Sequence, residues 1–295
     1  MSNSGLVITT DLAASAMRGL MSKGVEHAER TMLQHEQVSC PVTHYFGPGI
    51  YIRELRMSAG VLAIGHRQKC EHMNVLIKGR VLMLQNDGST TEMSAPATFV
   101  GQPGRKMGWV LEDVVWQNVY ATDVRDINTL ESMFLDKSDA WGEVDVLKAQ
   151  AAHAAHQATR EDFQSMLAEY GISAETVWSQ SLNESDQIDM PMGSWQFKTD
   201  ASPIHGSGVF ATTDAPAESV VGPARISGKR TPLGRYTNHS PTPNARMELL
   251  PNGDVQLVLT QPVRGCRGGE NGDEVTIDYR QALSLSGVYP KGTKP

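Results

Sequence analysis

The feature that most constrains this chain is a change of hydrophobic period, made twice. From Val42 to about Glu131, β-branched and aliphatic residues come in short runs: YFGPGIYIREL, AGVLAIG, MNVLIKGRVLML, ATFVG, MGWVL and VVWQNVYAT. Turn formers separate them, including Gly47-Pro48-Gly49, Asn86-Asp87-Gly88 and Pro103-Gly104. Runs this short between such turns form sheets rather than helices, so an all-β sandwich or barrel is expected here. The sequence then turns rich in Ala, Gln and Glu over residues 137–185. Phe163, Met166, Leu167 and Tyr170 follow the i, i+3, i+4, i+7 spacing of one helix face, and Gly171 suits the position just past a helix end. Beyond Met190 strand-like runs return (SWQFKTD, GVFATT, SVVGPAR, MELL, DVQLVL, EVTIDY) between Gly and Pro, which predicts a second β-rich unit over residues 192–285. Before the first unit, Leu12, Met17, Leu20, Met21, Met32 and Leu33 have loosely helical spacing, with Thr9 or Thr10 available as a cap.

The expected organisation is therefore an N-terminal helical segment (1–36), a first β unit (37–133), a helical connector (134–190), a second β unit (191–285) and a tail (286–295). A length of 295 residues accommodates two domains. With 40% hydrophobic and 20% charged residues, the chain has the composition of a globular protein rather than a disordered or fibrous one. Apolar stretches such as Val61–Ile64 are far short of the ~18–20 residues that a membrane-crossing helix needs, so no membrane partner is expected. The opening MSNSGLVITTDLAASAM lacks the basic and apolar blocks of a secretory signal. Cys40, Cys70 and Cys266 are widely spaced and odd in number, which fits a reducing cytoplasm and no disulfide framework. Residues 1–190 hold 15 Lys and Arg against 24 Asp and Glu, whereas residues 191–295 hold 11 against 9. An acidic body with a faintly basic end argues against direct nucleic-acid binding.

In the first β unit, Gly60, His66, Gln68, His72 and Gly79 stand as G-x5-H-x-Q-x3-H-x6-G. This spacing resembles the first motif of the cupin family, G-x5-H-x-H-x3-E-x6-G, and implies a small cupin-like β-barrel. In that family two His and a Glu hold a divalent metal. Here Gln68 replaces one His, His72 replaces the Glu, and no further His occurs before His153. A metal is not expected; His66 and His72, placed on one face by regular extended pairing, are the weak candidates, and a degenerate barrel serving folding or oligomerisation is the preferred reading.

Three segments of the second β unit read together. They are Ile204-His205-Gly206-Ser207-Gly208-Val209-Phe210-Ala211, then Gly234-Arg235-Tyr236-Thr237-Asn238-His239-Ser240 with Pro243-Asn244, then Gly272-Asp273-Glu274-Val275-Thr276-Ile277-Asp278-Tyr279. Each alone reads as a turn or a strand with a core aromatic. In this order they resemble the signature of SET-domain protein-lysine methyltransferases: GxGVFA, R[FY]xNHSxxPN and GEELTxDY. The resemblance implies the SET-domain β-fold, in which the second motif and the Tyr strand thread together. It also implies S-adenosylmethionine as cofactor, held by His205, Gly206, Gly208, Val209, Phe210, Arg235, Asn238 and His239. Tyr279 becomes the catalytic residue at a methyl-transfer pore, with Tyr236 and Tyr289 as substrate-channel residues. The implied partner is a protein carrying a target lysine. The compact form looks like SET proteins of tailed bacteriophages and bacteria. The rival expectation is a phage structural or interaction protein whose cupin-like and SET folds are catalytically inactive. A homodimer or association with a phage particle is the expected assembly.

Overall fold

The computed structural model describes residues 9–137 and 157–293. Within those residues the chain is mainly β, with helices at the N-terminus, at the junction of the two β units and near the C-terminus.

The helix Thr10–Met21 starts where Thr9 Oγ1 accepts the Leu12 N–H at 3.3 Å, and the helix Val25–Leu33 follows after a short turn. Their buried Ala13, Ala14, Met17 and Ala28 pack on Leu82 and Met107 of the first β unit. The three alanines let the helices lie close against the sheet.

The first β unit is a sandwich of two antiparallel sheets. The larger has the order Gly193–Trp195, Val42–Gly47, Ile50–Met57, Val114–Ala121, His72–Lys78 and Ala97–Gly101; the smaller has the order Leu62–Ile64, Met107–Val110, Arg80–Leu84 and Thr90–Ser94. No strand is shared between the two among the described residues, so the expected barrel is not closed. The two sheets are linked at Gly79. The chain crosses there from one sheet to the other with φ of +85°, and a Cβ would meet the Asp113 carbonyl oxygen at 2.2 Å. Only glycine tolerates both that backbone conformation and that approach. A register shift between Val115 and Trp116 bends the sheet at the same end.

The second β unit holds two four-stranded sheets. One has the order Phe197–Ala201, Ser207–Ala211, Glu274–Ile277, Asn238–His239; the other Lys229–Arg230, Val220–Ile226, Val255–Leu259, Ala245–Leu249. Glu274–Ile277, last of these strands in sequence, inserts between two earlier ones and runs parallel to Asn238–His239. The strand Gly193–Trp195, expected as part of this unit, instead pairs antiparallel with Val42–Gly47 and forms the edge of the first unit's large sheet. One core runs across the junction, uniting Phe46, Tyr51, Tyr120, Ile127 and Leu130 with Phe197, Val209, Leu233, Leu257 and Ile277. The two β units are thus joined by hydrogen bonds and by shared apolar burial.

Between them in sequence, the helix 157–170 lies where the Phe163 to Tyr170 spacing places it, ending at Gly171 with φ of +67°. The part of the connector before residue 157 lies outside the described residues.

Candidate functional site

Asn238 is the point at which the three C-terminal segments meet. Nearly buried, its Nδ2 donates to the His205 carbonyl at 3.2 Å, to the Ser207 carbonyl at 3.0 Å and to Glu274 Oε1 at 2.8 Å. Ser202 Oγ donates to both oxygens of the same carboxylate. Burial pushes the Glu274 carboxyl up, against the hydrogen bonds from Asn238 and Ser202. Asn244 clamps the next strand from the other side, donating to the Glu274 carbonyl and accepting from the Thr276 N–H, both at 2.8 Å.

His239 is buried with both ring nitrogens engaged. Nδ1 accepts the Tyr279 N–H at 3.2 Å, which leaves Nε2–H to donate to Asp162 Oδ2 at 2.9 Å. Asp162 belongs to the helix 157–170, which Arg280 also holds through a fork on Asp162 and a bond to Glu169. Phe163 of that helix stands edge-on to the Tyr279 ring at 6.2 Å and beside His239 at 6.1 Å. Tyr279 Oη donates to the Thr237 carbonyl at 3.2 Å, and desolvation pushes the phenol up to about 12. The Glu274–Ile277 strand stops short of Tyr279, which begins a helix, Tyr279–Leu285, capped by Asp278.

The remaining sequence-predicted residues fall in different settings. His205 and Gly206 are exposed; Gly206 has φ of +54° and open space where a Cβ would stand. Gly208 is buried, and a Cβ there would meet Glu274 Oε1 at 2.3 Å. Its glycine requirement is therefore met by the chain's own carboxylate. Val209 and Phe210 are buried, Val209 within the shared core. Arg235 donates to Gln187 at 2.7 Å and pairs with Asp126 at 3.4 Å, while its guanidinium covers the Tyr236 ring. Tyr289 is exposed.

A second polar cluster lies on the inner face of the large N-terminal sheet. Alternate residues of a strand face the same way, and directly paired residues sit side by side across strands. The register therefore lines up three rows. An aromatic row runs Phe46, Tyr51 and Tyr120 and ends on His72, with successive rings 5.6, 5.7 and 5.3 Å apart. Next to it a polar row runs His44, Arg53, Asn118, Asn74. An apolar row follows: Val42, Leu55, Trp116, Leu76.

This face borders a cavity of about 880 Å³, also lined by His66, Gln68 and Met83 and, at the junction, by Glu131, Lys137, Lys198 and Asp200. His44 Nδ1 lies 2.7 Å from Tyr51 Oη. Burial holds that phenol well above its ordinary range. His44 Nδ1 is the partner its buried Oη has among the described residues, so the tautomer that satisfies the hydroxyl proton accepts at Nδ1 and carries its own proton outward on Nε2. Burial lowers both His44 and His66 to about 3, so both rings are neutral at pH 7. Glu131 is raised by burial, but Lys198, Lys137 and Arg53 together hold it down at about 2.

His66 and His72 both line the cavity, yet they do not share one regular strand. His66 follows Leu62–Ile64, His72 opens His72–Lys78, and its Nδ1 turns back to the Cys70 carbonyl at 3.1 Å. The same-face placement expected from continuous pairing is thus corrected by the break at Lys69–Glu71. Among the described residues no three or more His, Cys, Asp or Glu side chains gather in a metal-holding group. The polar row was missed from sequence. Its signal is the alternation in VVWQNVYA, where Asn118 falls in phase with the inward Trp116 and Tyr120.

No family model matches the sequence, and no curated protein matches it. Solved structures match parts of the chain. A cupin-domain protein from Bordetella pertussis is 14% identical, with a TM-score of 0.25, over 30% of this chain and 98% of that one. An RmlC-like cupin with a double-stranded β-helix fold from Methanocaldococcus jannaschii is 14% identical at TM-score 0.25, over 28% and 81%. A cupin-2 domain protein from Shewanella frigidimarina is 10% identical at TM-score 0.24, over 35% and 99%. No helix among the described residues is long and apolar enough to cross a membrane.

Proposed function

We propose that the C-terminal β unit is a SET-type methyltransferase acting on a lysine of another protein, with S-adenosylmethionine as cofactor. The observation that carries this reading is the convergence on Asn238 and His239. Residues 33, 31 and 36 positions from Asn238 are bonded to its one amide, and Tyr279, 40 positions from His239, is bonded to its ring. Such an arrangement brings the glycine loop, the Asn-His strand and the Tyr segment together, as the three-motif resemblance requires.

Two features suit the cofactor. The loop at His205 and Gly206 offers exposed backbone with room outside it, and Arg235 Nε is buried without an acceptor, a donor fit for a carboxylate. The residues that would hold the group are those of the loop and Arg235, while Asn238 and His239, already bonded within the chain, hold the loop and the Tyr279 segment in place. When bound, it would supply an electrophilic methyl on a sulfonium, open to attack by an uncharged amine with the thioether as leaving group. The chain's own part is alignment and desolvation. Tyr279 stays protonated and donates its proton to the Thr237 carbonyl, so what its oxygen has left to offer an amine N–H is its lone pairs. The rings of Phe163, His239 and Tyr279 form a wall that disfavours the ammonium form.

Calorimetry of the full chain with S-adenosylmethionine, followed by mass spectrometry of a bacterial lysate incubated with it, tests the reading. Saturable binding and new methyl-lysine support it; neither, in a folded protein, ends it. In that outcome a non-catalytic interaction protein, such as a component of a phage particle, becomes the better account. The specific observation on that side is the seating of Asp162 and Phe163 on His239 and Tyr279. For the first β unit we infer a degenerate cupin-like role in folding or pairing of copies, and for the whole chain a cytoplasmic setting.

A further inference from the structure

We propose that the cavity at the junction of the two β units binds a small monocarboxylate with an apolar body, its carboxylate seated on Arg53 and His44. The argument starts from Arg53. It projects from the middle of Ile50–Met57, flanked by His44 on one strand and Asn118 on the other. No carboxylate pairs with it among the described residues, and its buried Nε has no acceptor. Arg53 is half-buried, and its planar fork matches the two oxygens of a carboxylate. His44 is wholly buried, and Nε2, its remaining donor, also lacks a partner. Two adjacent inward groups therefore offer N–H to an acceptor that the described residues do not provide.

The charge of the surroundings sets the charge of the ligand. Lys137 is taken up by Glu131 at 3.0 Å and Asp200 at 3.3 Å, and Lys198 by Asp200 at 3.0 Å. With the imidazoles neutral, Arg53, Lys137 and Lys198 stand against the carboxylates of Glu131 and Asp200, so one further negative charge balances the group. A dianion would leave an excess beside Glu131. The body of the ligand follows from the neighbouring row, where Val42, Leu55 and Trp116 join Met57, Val81, Met83 and Val110 on the cavity wall. A volume of about 880 Å³ lies within the range of cavities that enclose small organic molecules. The inference is independent of the methyltransferase reading.

The test is calorimetric titration of the full-length protein with octanoate, and with 1-octanol as the uncharged probe of similar shape. Octanoate is expected to bind at one site at least tenfold more tightly than octanol. Arg53→Met, which replaces the excess positive charge with an apolar chain of similar length, is expected to remove that preference while raising the melting temperature of the ligand-free protein. His44→Glu, which supplies an internal carboxylate next to Arg53, is expected to abolish octanoate binding by competition. Equal affinity for the two probes, no saturable octanoate binding at millimolar concentration, or unchanged octanoate binding in a folded Arg53→Met protein overturns the proposal.

Discussion

The two polar clusters of this molecule are built by opposite rules. Around Asn238 the chain satisfies itself: three acceptors share one amide, both nitrogens of His239 are engaged, and the tight spot at Gly208 is filled by Glu274. Across the inner face of the N-terminal sheet it does not, since His44 and Arg53 carry donors with no acceptor. A closed network stabilises a particular threading of strands, whereas an open one in a cavity is a cost that only a partner molecule offsets. The difference teaches that a buried polar cluster has to be judged by what is left over after its internal bonds are assigned.

Four experiments break or sharpen that contrast. The largest effect is expected from Phe197→Ala, which empties the core common to both units. Loss of a fully buried Phe costs about 3–5 kcal/mol, and because the core is continuous, chemical denaturation followed by both fluorescence and circular dichroism should still give one transition. Two separated transitions would break the view of a joint body.

Acid sensitivity comes next. His44 and His66 are lowered to about 3 from an ordinary value of 6.5. The unfolded chain therefore binds more protons between those values, and the stability these groups contribute is complete above pH 6.5 and is lost as pH falls toward 3. Each should give a slope of about 1.4 kcal/mol per pH unit within that window, visible as a falling urea midpoint. His44→Gln should lower the slope by about 1.4 kcal/mol per pH unit; an unchanged slope would show that the open cluster is not what titrates.

Asn238→Ala removes the donor of three bonds, one of them to a carboxylate. A loss of about 2–3 kcal/mol by urea titration is expected, together with loss of S-adenosylmethionine binding. A near-neutral effect would mean the closed network is dispensable. The smallest change in stability belongs to Tyr279→Phe, about 1 kcal/mol for one hydroxyl bond. Its turnover with a lysine substrate should nonetheless fall at least tenfold, and a scaffold without chemistry would show only the first effect.

Much of the fold was legible because period reports local structure. The change of pattern near residue 131 and again near residue 190 marks sheet, helix and sheet, and Gly171 ends its helix as its neighbours imply. What pairs with what was less legible. Nothing local in GSW says that its partner is VTHYFG, about 150 residues earlier, because an antiparallel edge pairing depends on backbone groups that every residue carries. The closed barrel failed for a related reason: spacing fixes where glycines and histidines stand along the chain, but not whether the edges of two sheets meet. At the candidate site, the motifs indicated which segments converge. They did not indicate that Asp162 and Phe163, from a helix whose spacing speaks only of one apolar face, would be seated on His239 and Tyr279. The row His44, Arg53, Asn118, Asn74 is spread over four strands, and only the register assembles it.

The three-residue ribbon Gly193–Trp195 has a consequence for how such a protein can arise and diversify. Because it lies beyond the connector yet borders the other half, a gene rearrangement that exchanged everything after residue 190 would strip the recipient of its outermost strand and leave a bare seam prone to sticking. Heredity is thus expected to keep the halves as a pair, with any swapped replacement obliged to bring its own ribbon.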